Sequence, residues 1–179
     1  TKISIVNANY LVAALKGYYD VLYTGETGRC AHEMILECRN FRQDYGVDAT
    51  DIAKRLIDYG FHAPTLSFPV HDTLMVEPTE SESVQELDRF AEAMISIKKE
   101  MEDIKNGKVD EEDNLLKMAP HTAEEVTADE WSHPYKRSDA AYPLEWIRIN
   151  KFWPHIARVD DGYGDRNLVC TCAPISEYQ

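Results

Sequence analysis

Residues 59–82, Tyr59-Gly60-Phe61-His62-Ala63-Pro64-Thr65-Leu66-Ser67-Phe68-Pro69-Val70-His71-Asp72-Thr73-Leu74-Met75-Val76-Glu77-Pro78-Thr79-Glu80-Ser81-Glu82, decide how the chain folds. Leu66, Phe68 and Val70 recur at every second position, as do Leu74 and Val76, which is the period of a half-buried strand. The stretch therefore reads as two strands feeding a long helix, with a histidine at the entrance and carboxylates and hydroxyls at the exit. A two-residue turn would set Val70 opposite Thr73 and misalign the apolar faces. A three-residue loop, His71-Asp72-Thr73, sets Val70 opposite Leu74 and Phe68 opposite Val76. Because a one-residue slip turns a whole apolar set away from the core, the three-residue loop is the expectation.

On the N-terminal side, Ile3 to Tyr18 has apolar residues near helical spacing, Val21 to Thr24 reads as a short strand, and Gly25-Glu26-Thr27-Gly28 as a turn. Residues 31–39 alternate, with His32, Met34, Leu36 and Cys38 on one side and Glu33, Glu37 and Arg39 on the other, as in a half-buried antiparallel strand. Asp48 is suited to N-cap a helix whose stripe is Ile52, Ala53, Leu56 and Ile57, with Gly60 ending it.

On the C-terminal side, Ser83-Val84-Gln85-Glu86 has the form of a capping box and opens the longest helix. Leu87, Phe90, Met94, Ile97, Met101 and Ile104 make a narrow seam, which suits a helix lying on the sheet or, alternatively, a coiled coil. Asn106-Gly107 stops it. Residues 108–130 are acidic and mixed, as in an irregular connector. Trp131, Tyr135, Tyr142, Trp146, Phe152 and Trp153 then crowd among Pro134, Pro143 and Pro154, which reads as an extended segment laid over apolar surface. The expected organisation is a domain over 1–107 and a connector with an aromatic-rich extension over 108–179. The expected class is α/β of the α+β type, a short, largely antiparallel sheet packed on helices.

Composition bounds the function. A hydrophobic share of 44% with 28% charged residues is that of a folded domain, and no run approaches the roughly 20 apolar residues of a membrane helix. A net charge of −13 argues against nucleic acid and against anionic membranes as partners. Four cysteines in 179 residues do not make a disulfide framework, and Cys170-Thr171-Cys172 lacks zinc-site spacing, so a reducing compartment is expected. In a bacterium such a compartment is the cytoplasm. Opening on Thr1 without a methionine, the chain reads as a segment of something longer.

Phe-His-Ala-Pro-Thr at 61–65, Ser-Phe-Pro-Val at 67–70 and Thr-Leu-Met at 73–75 with Glu-Pro-Thr-Glu-Ser-Glu at 77–82 resemble the C-terminal part of the glycine decarboxylase family, the P-proteins of the glycine cleavage system. The resemblance continues through Ala-Pro-His-Thr at 119–122, Ala-Asp-Glu-Trp at 128–131, Ala-Ala-Tyr-Pro-Leu at 140–144, Asn-Lys-Phe-Trp-Pro at 150–154 and Tyr-Gly-Asp-Arg-Asn-Leu-Val-Cys at 163–170. It implies the small C-terminal domain of a fold-type-I pyridoxal-phosphate enzyme. In such an enzyme the first helix links this domain to a large cofactor domain, and the intact protein is a homodimer. The implied reaction decarboxylates glycine and hands the aminomethyl group to the lipoyl arm of the H-protein. His71-Asp72 fills a turn where the family often has glycine.

A pyridoxal-phosphate enzyme needs a lysine, a carboxylate and a phosphate cradle. The family's lysine follows a histidine. None of the ten lysines here does, and the eight glycines are scattered. The expectation is that no catalytic or cofactor-binding residue lies in this chain, that the lysine lies before Thr1, and that the segment closes the cleft. His62, Thr65, Glu77, Thr79, Glu80 and Ser81 are the candidates for lining that cleft, with backbone N–H groups near Ser81 to Ser83 open to an anion. The other reading makes the hydroxyls simple helix caps and His62 a loop residue. Arg166 could grip the carboxylate of glycine or bridge to Asp161 or Asp165. Cys170 and Cys172 are either redox-responsive or idle. The six histidines show no metal-ligand spacing, and no nucleophile elbow occurs. A rival class is a free-standing, non-enzymatic acidic interaction domain.

Overall fold

The computed structural model describes residues 1–169 and 174–177 in full, and the backbone of residue 178. The elements run α1 (Lys2–Ala14), β1 (Val21–Leu22), β2 (Met34–Glu37), α2 (Phe41–Tyr45), α3 (Ala49–Asp58), β3 (Thr65–Leu66), β4 (Thr73–Val76) and α4 (Val84–Lys105). Short helices follow: α5 (Leu115–Met118), α6 (Ala123–Thr127), α7 (Arg137–Ala141), a 3-10 turn (Glu145–Arg148), α8 (Asp161–Arg166) and a last 3-10 turn (Ile175–Tyr178). The strands form one antiparallel sheet in the order β1-β2-β4-β3. This is a small α+β fold.

The helix termini follow local chemistry. Asp48 caps α3 by accepting from the Asp51 N–H (3.0 Å), and Asp51 returns the bond to the Asp48 N–H (3.1 Å), a full capping box. Ser83 caps α4 by accepting from the Glu86 N–H (3.2 Å). The expected box there is only half made, because the Glu86 carboxylate pairs with Arg89. All six residues of the α4 seam are buried against one continuous core that includes Leu11, Met34, Leu36, Ile52, Leu56 and Leu74. The seam is thus turned into this chain's own core, where α4 packs against α1, α2, α3 and α5, rather than into a coiled coil. Burying Met94, Ile97 and Met101 completely stabilises the fold by about 1.5–3 kcal/mol per side chain.

Three expectations about the strands fail. Leu66 pairs with Leu74 and Thr65 with Met75, so the hairpin register is displaced by four residues and the three-residue loop does not form. Pro69 has no N–H for a ladder, and Ser67 and Asp72 have positive φ, 53° and 55°. The wider loop over 67–72 closes with Ser67 N–H donating to the Thr73 carbonyl (2.9 Å) and Asp72 N–H to Ser67 Oγ (3.1 Å). It frees Asp72 Oδ1 to accept from the Ala49 N–H (2.9 Å), tying the loop to the start of α3. Next, β1 stops at Leu22 because Tyr23 turns left-handed at φ 59°. Finally, residues 31–39 are a strand only over Met34–Glu37. Phe41–Tyr45 then forms the unforeseen α2, closed by Gly46 at φ 70°.

Residues 108–130 carry α5 and α6, with Leu116, Ala119 and His121 fully buried. The aromatic-rich stretch likewise holds α7 and a 3-10 turn instead of running extended throughout. Trp131 and Tyr142 are half-buried, while Phe152 stays 53% exposed. No helix of the described residues is long and apolar enough to cross a membrane.

Candidate functional site

The exit of β4 and the start of α4 form one wall of a cleft of about 290 Å³, and the loop after α3 forms the other. Leu11, Phe61, Val76, Leu87 and Phe90 floor it, and His62, Glu77, Glu82 and Glu86 stand around it. Phe61 is held by Phe90 at 5.4 Å, ring edge to face, and by the Arg89 guanidinium 5.3 Å above its ring. Arg89 also stacks on Trp146 at 4.4 Å. A second, more apolar recess of about 490 Å³, lined by Ile57, Gly60, Phe61, His62, Ala63 and Phe152, shares Phe61 and His62. His62 thus stands between two recesses.

His62 is exposed, and its Nδ1 lies 3.0 Å from the Ala63 carbonyl. A carbonyl only accepts, so this contact assigns the proton to Nδ1. Nε2 makes no hydrogen bond among the described residues. Glu77, at the end of β4, meets His32 Nε2 at 3.6 Å. The sequence alone did not flag His32 for the site. The β2–β4 register, Met34 opposite Val76, carries residues 32 and 33 to residues 77 and 78, and only that pairing reveals the contact.

The other candidates divide. Thr79 and Glu80 hold α1: Asn7 Nδ2 donates to the Thr79 carbonyl (2.8 Å), and Ser4 Oγ donates to Glu80 Oε2 (3.1 Å). A backbone N–H and the Ser4 hydroxyl hold the Glu80 carboxyl below its ordinary range. The Ser81 N–H donates to Thr79 Oγ1 (3.2 Å), the Glu82 N–H to the Thr79 carbonyl (3.4 Å), and the Glu86 N–H to Ser83 Oγ. Those donors are spent on capping, and Glu80, Glu82 and Glu86 make the neighbourhood acidic. Thr65 is exposed on β3 and does not line the cleft. Arg166, in the last turn of α8, is exposed and also lines no part of it. Among the described residues it forms no ion pair with Asp161 or Asp165; a Cβ on Gly162 would meet its guanidinium at 3.7 Å. Cys170 and Cys172 lie outside the described residues.

A charged knot that the sequence did not reveal is built around the C-terminal end of α3. Arg55, fully buried, donates to Asp58 (2.9 Å), to Glu100 (2.8 and 3.0 Å) and to the carbonyls of Asp139 (2.9 Å) and Ala140 (3.2 Å). Asp58 accepts from the His121 N–H and lies 2.8 Å from His121 Nδ1, whose Nε2 reaches the Tyr135 hydroxyl at 2.9 Å. Burial pushes the Asp58 carboxyl up, but the bonds from His121 and Arg55 outweigh it and hold the group below its ordinary range. Lys151 donates to the Asp58 carbonyl (2.7 Å), and burial pushes its amine down to about 8. A neighbouring clasp joins Asp51 to Arg158 (2.6 Å) and Lys117 (2.7 Å). Every polar group in the knot has a partner, as a structural tie requires.

The donors around the cleft do not suit pyridoxal phosphate on their own. No lysine lines it, and Lys98 is buried, bonded to the Tyr45 hydroxyl (2.9 Å) and lying over the Phe41 ring. Among the described residues no group of three or more His, Cys, Asp or Glu converges as metal ligands.

Residues 1–121 match the family described as "Glycine dehydrogenase, C-terminal domain". The chain is similar to curated proteins called "Glycine dehydrogenase (decarboxylating)". It is 56% identical to that of Bdellovibrio bacteriovorus over 179 residues, covering 100% of this chain and 19% of the relative. It is 60% identical to that of Flavobacterium johnsoniae over 178 residues, covering 99% of this chain and 18% of the relative. The chain thus spans about a fifth of the length of these relatives.

Proposed function

The chain belongs to the glycine dehydrogenase (decarboxylating) family as its C-terminal domain, and from that premise we propose that it is the segment that closes the active-site cleft of a longer glycine-decarboxylating enzyme. That enzyme releases the carboxyl group of glycine as carbon dioxide and passes the aminomethyl group to the lipoyl arm of an H-protein. Pyridoxal phosphate is the electron sink such a reaction uses. The residues lining this cleft do not fit it, and the reading places the residues that hold it outside this chain. The segment is the small domain of a fold-type-I homodimer, with a body over 1–107 and an extension over 108–179 that packs on the rest of the enzyme.

One observation carries this reading: the cleft between His62 and the start of α4 has an open imidazole nitrogen and a carboxylate rim but no amine to hold a cofactor. His62 Nε2 can take a proton or a hydrogen bond from a group presented by the missing part, with Glu77 and His32 paired beside it. Thr79, Glu80 and Ser81 keep the rim in position through α1 and the α4 cap. Thr65 and Arg166 take their part only when the rest of the enzyme stands against this face.

In the intact enzyme, His62→Gln lowers kcat/KM for release of carbon dioxide from carboxyl-labelled glycine by roughly 10²-fold. Arg166→Ala raises the KM for glycine. A His62→Gln enzyme within twofold of the parent would return His62 to a loop role, and an unchanged KM would do the same for Arg166.

A further inference from the structure

The loop that carries His62 has little of its own to hold it. Residues 61–64 belong to no helix or strand, and the His62 ring bonds only to the next carbonyl among the described residues. The Phe61 N–H donates to the Leu56 carbonyl (3.0 Å), and the rest of the grip is on the Phe61 ring. Phe90 meets that ring edge to face, Trp146 stands 6.4 Å away at 79°, and the Arg89 guanidinium lies over it at 5.3 Å. Arg89 is itself pinned, 4.4 Å over the Trp146 ring and paired with the Glu86 carboxylate. Trp146 is pinned in turn by donating from Nε1 to Glu92 Oε2 (2.9 Å). Contacts of this kind are directional as well as attractive. A planar guanidinium laid against two rings fixes their placement in a way that a point charge on a flexible stem does not.

We infer that Arg89 and Trp146 are positioning residues for His62: the 3-10 turn Glu145–Arg148 reaches back over α4 and, through these two side chains and Phe61, sets where the imidazole stands between its two recesses. Neither Arg89 nor Trp146 lines either recess, whereas Phe61 lines both and His62 is the next residue along the chain. Their influence therefore passes through Phe61, whose ring cannot shift without carrying the imidazole with it. An exposed pair such as Arg89 with Glu86 is by itself worth little, and it leaves a guanidinium free to face water. Here the guanidinium is turned onto two rings instead. A reacting group misplaced by about 1 Å, even from a site far from the chemistry, loses up to about 10²-fold in rate. The inference rests on the reading of His62 as a group of the cleft.

The test uses the intact enzyme and the release of carbon dioxide from carboxyl-labelled glycine. Trp146→Ala is expected to lower kcat about 10-fold with KM within about twofold, and Trp146→Phe, which keeps a ring for Arg89, to stay within about threefold of the parent. Arg89→Lys keeps the charge beside Glu86 but not the flat contact, and should lose as much as Trp146→Ala. Added to His62→Gln, Trp146→Ala should lower kcat no further, because the group it positions is gone. A further loss of about 10-fold in that background would overturn the inference in favour of a general structural role. A second readout is independent of turnover: the rate at which diethyl pyrocarbonate modifies His62 relative to the exposed His71, followed by mass spectrometry of the two peptides. That ratio should rise at least about threefold in Trp146→Ala and stay at the parent value in Trp146→Phe, whereas general destabilisation lowers Tm and leaves it unchanged. An unchanged ratio would overturn the inference even if His62→Gln is inactive. A raised ratio beside a fully active His62→Gln would uphold the placement of His62 and overturn the cleft reading instead. Should Trp146→Ala fail to fold, Arg89→Lys carries both readouts.

Discussion

The chain holds charge in two opposite ways. Arg55, Asp58 and His121 are fully buried, with Glu100 partly buried beside them, and are bonded to one another and to backbone carbonyls. His62, Glu77 and Glu80, by contrast, are exposed, with one contact each. The perturbed groups Asp58 and Lys151 belong to the knot, not to the cleft. Perturbed ionisable groups often mark functional sites, but ion-pair networks that tie a fold perturb them as well. Here they mark the tie.

This contrast can be broken first at its strongest point. Arg55→Ala leaves the buried Asp58 carboxylate without its guanidinium and is expected to destabilise the fold by about 3–5 kcal/mol, read as a fall in the denaturant midpoint. A loss below about 1 kcal/mol would mean that the knot does not hold α3, α4 and the 119–140 region together.

Acid titration sharpens the same point with a smaller effect. Asp58 has a folded pKa below its unfolded value of about 3.9. Its contribution is therefore complete above that value and is lost as the pH falls through the folded one. The denaturant midpoint of the parent should drop more steeply below pH 4 than that of Asp58→Asn. Parallel curves would remove Asp58 from the account.

The smallest effect tests the other side. Glu77→Gln changes only an exposed contact to His32 and should shift stability by no more than about 0.5 kcal/mol. A thermal melt showing a larger loss would mean that the cleft, too, is a structural tie.

Some of this was legible in the residues themselves. The seam from Leu87 to Ile104 foretold the buried face of α4, and Asp48 foretold the start of α3, because both depend on interactions within one or two turns. The hairpin register was not legible. Displacing it by four residues keeps the same side chains on the same face, so apolar alternation permits either pairing. The choice fell to Pro69 and to the left-handed turns at Ser67 and Asp72. The cleft was legible only in part: His62 and Glu77 were named and stand at one recess, whereas Thr65, Thr79, Glu80, Ser81 and Arg166 do not line it.

From the sequence alone come α1, α3 and α4, the Asp48 and Ser83 caps, the strand-rich centre and the resemblance that sets the family, all carried by neighbours along the chain or by runs of residues in order. Tertiary structure alone decided that His32 would meet Glu77, that α1 would face outward with its apolar row, and that His121 would be buried against Asp58, 63 residues away. The physical reason is range. A hydrogen bond four residues away is set by backbone geometry, but whether a charge ends in water or beside its partner depends on which distant segments the core brings together.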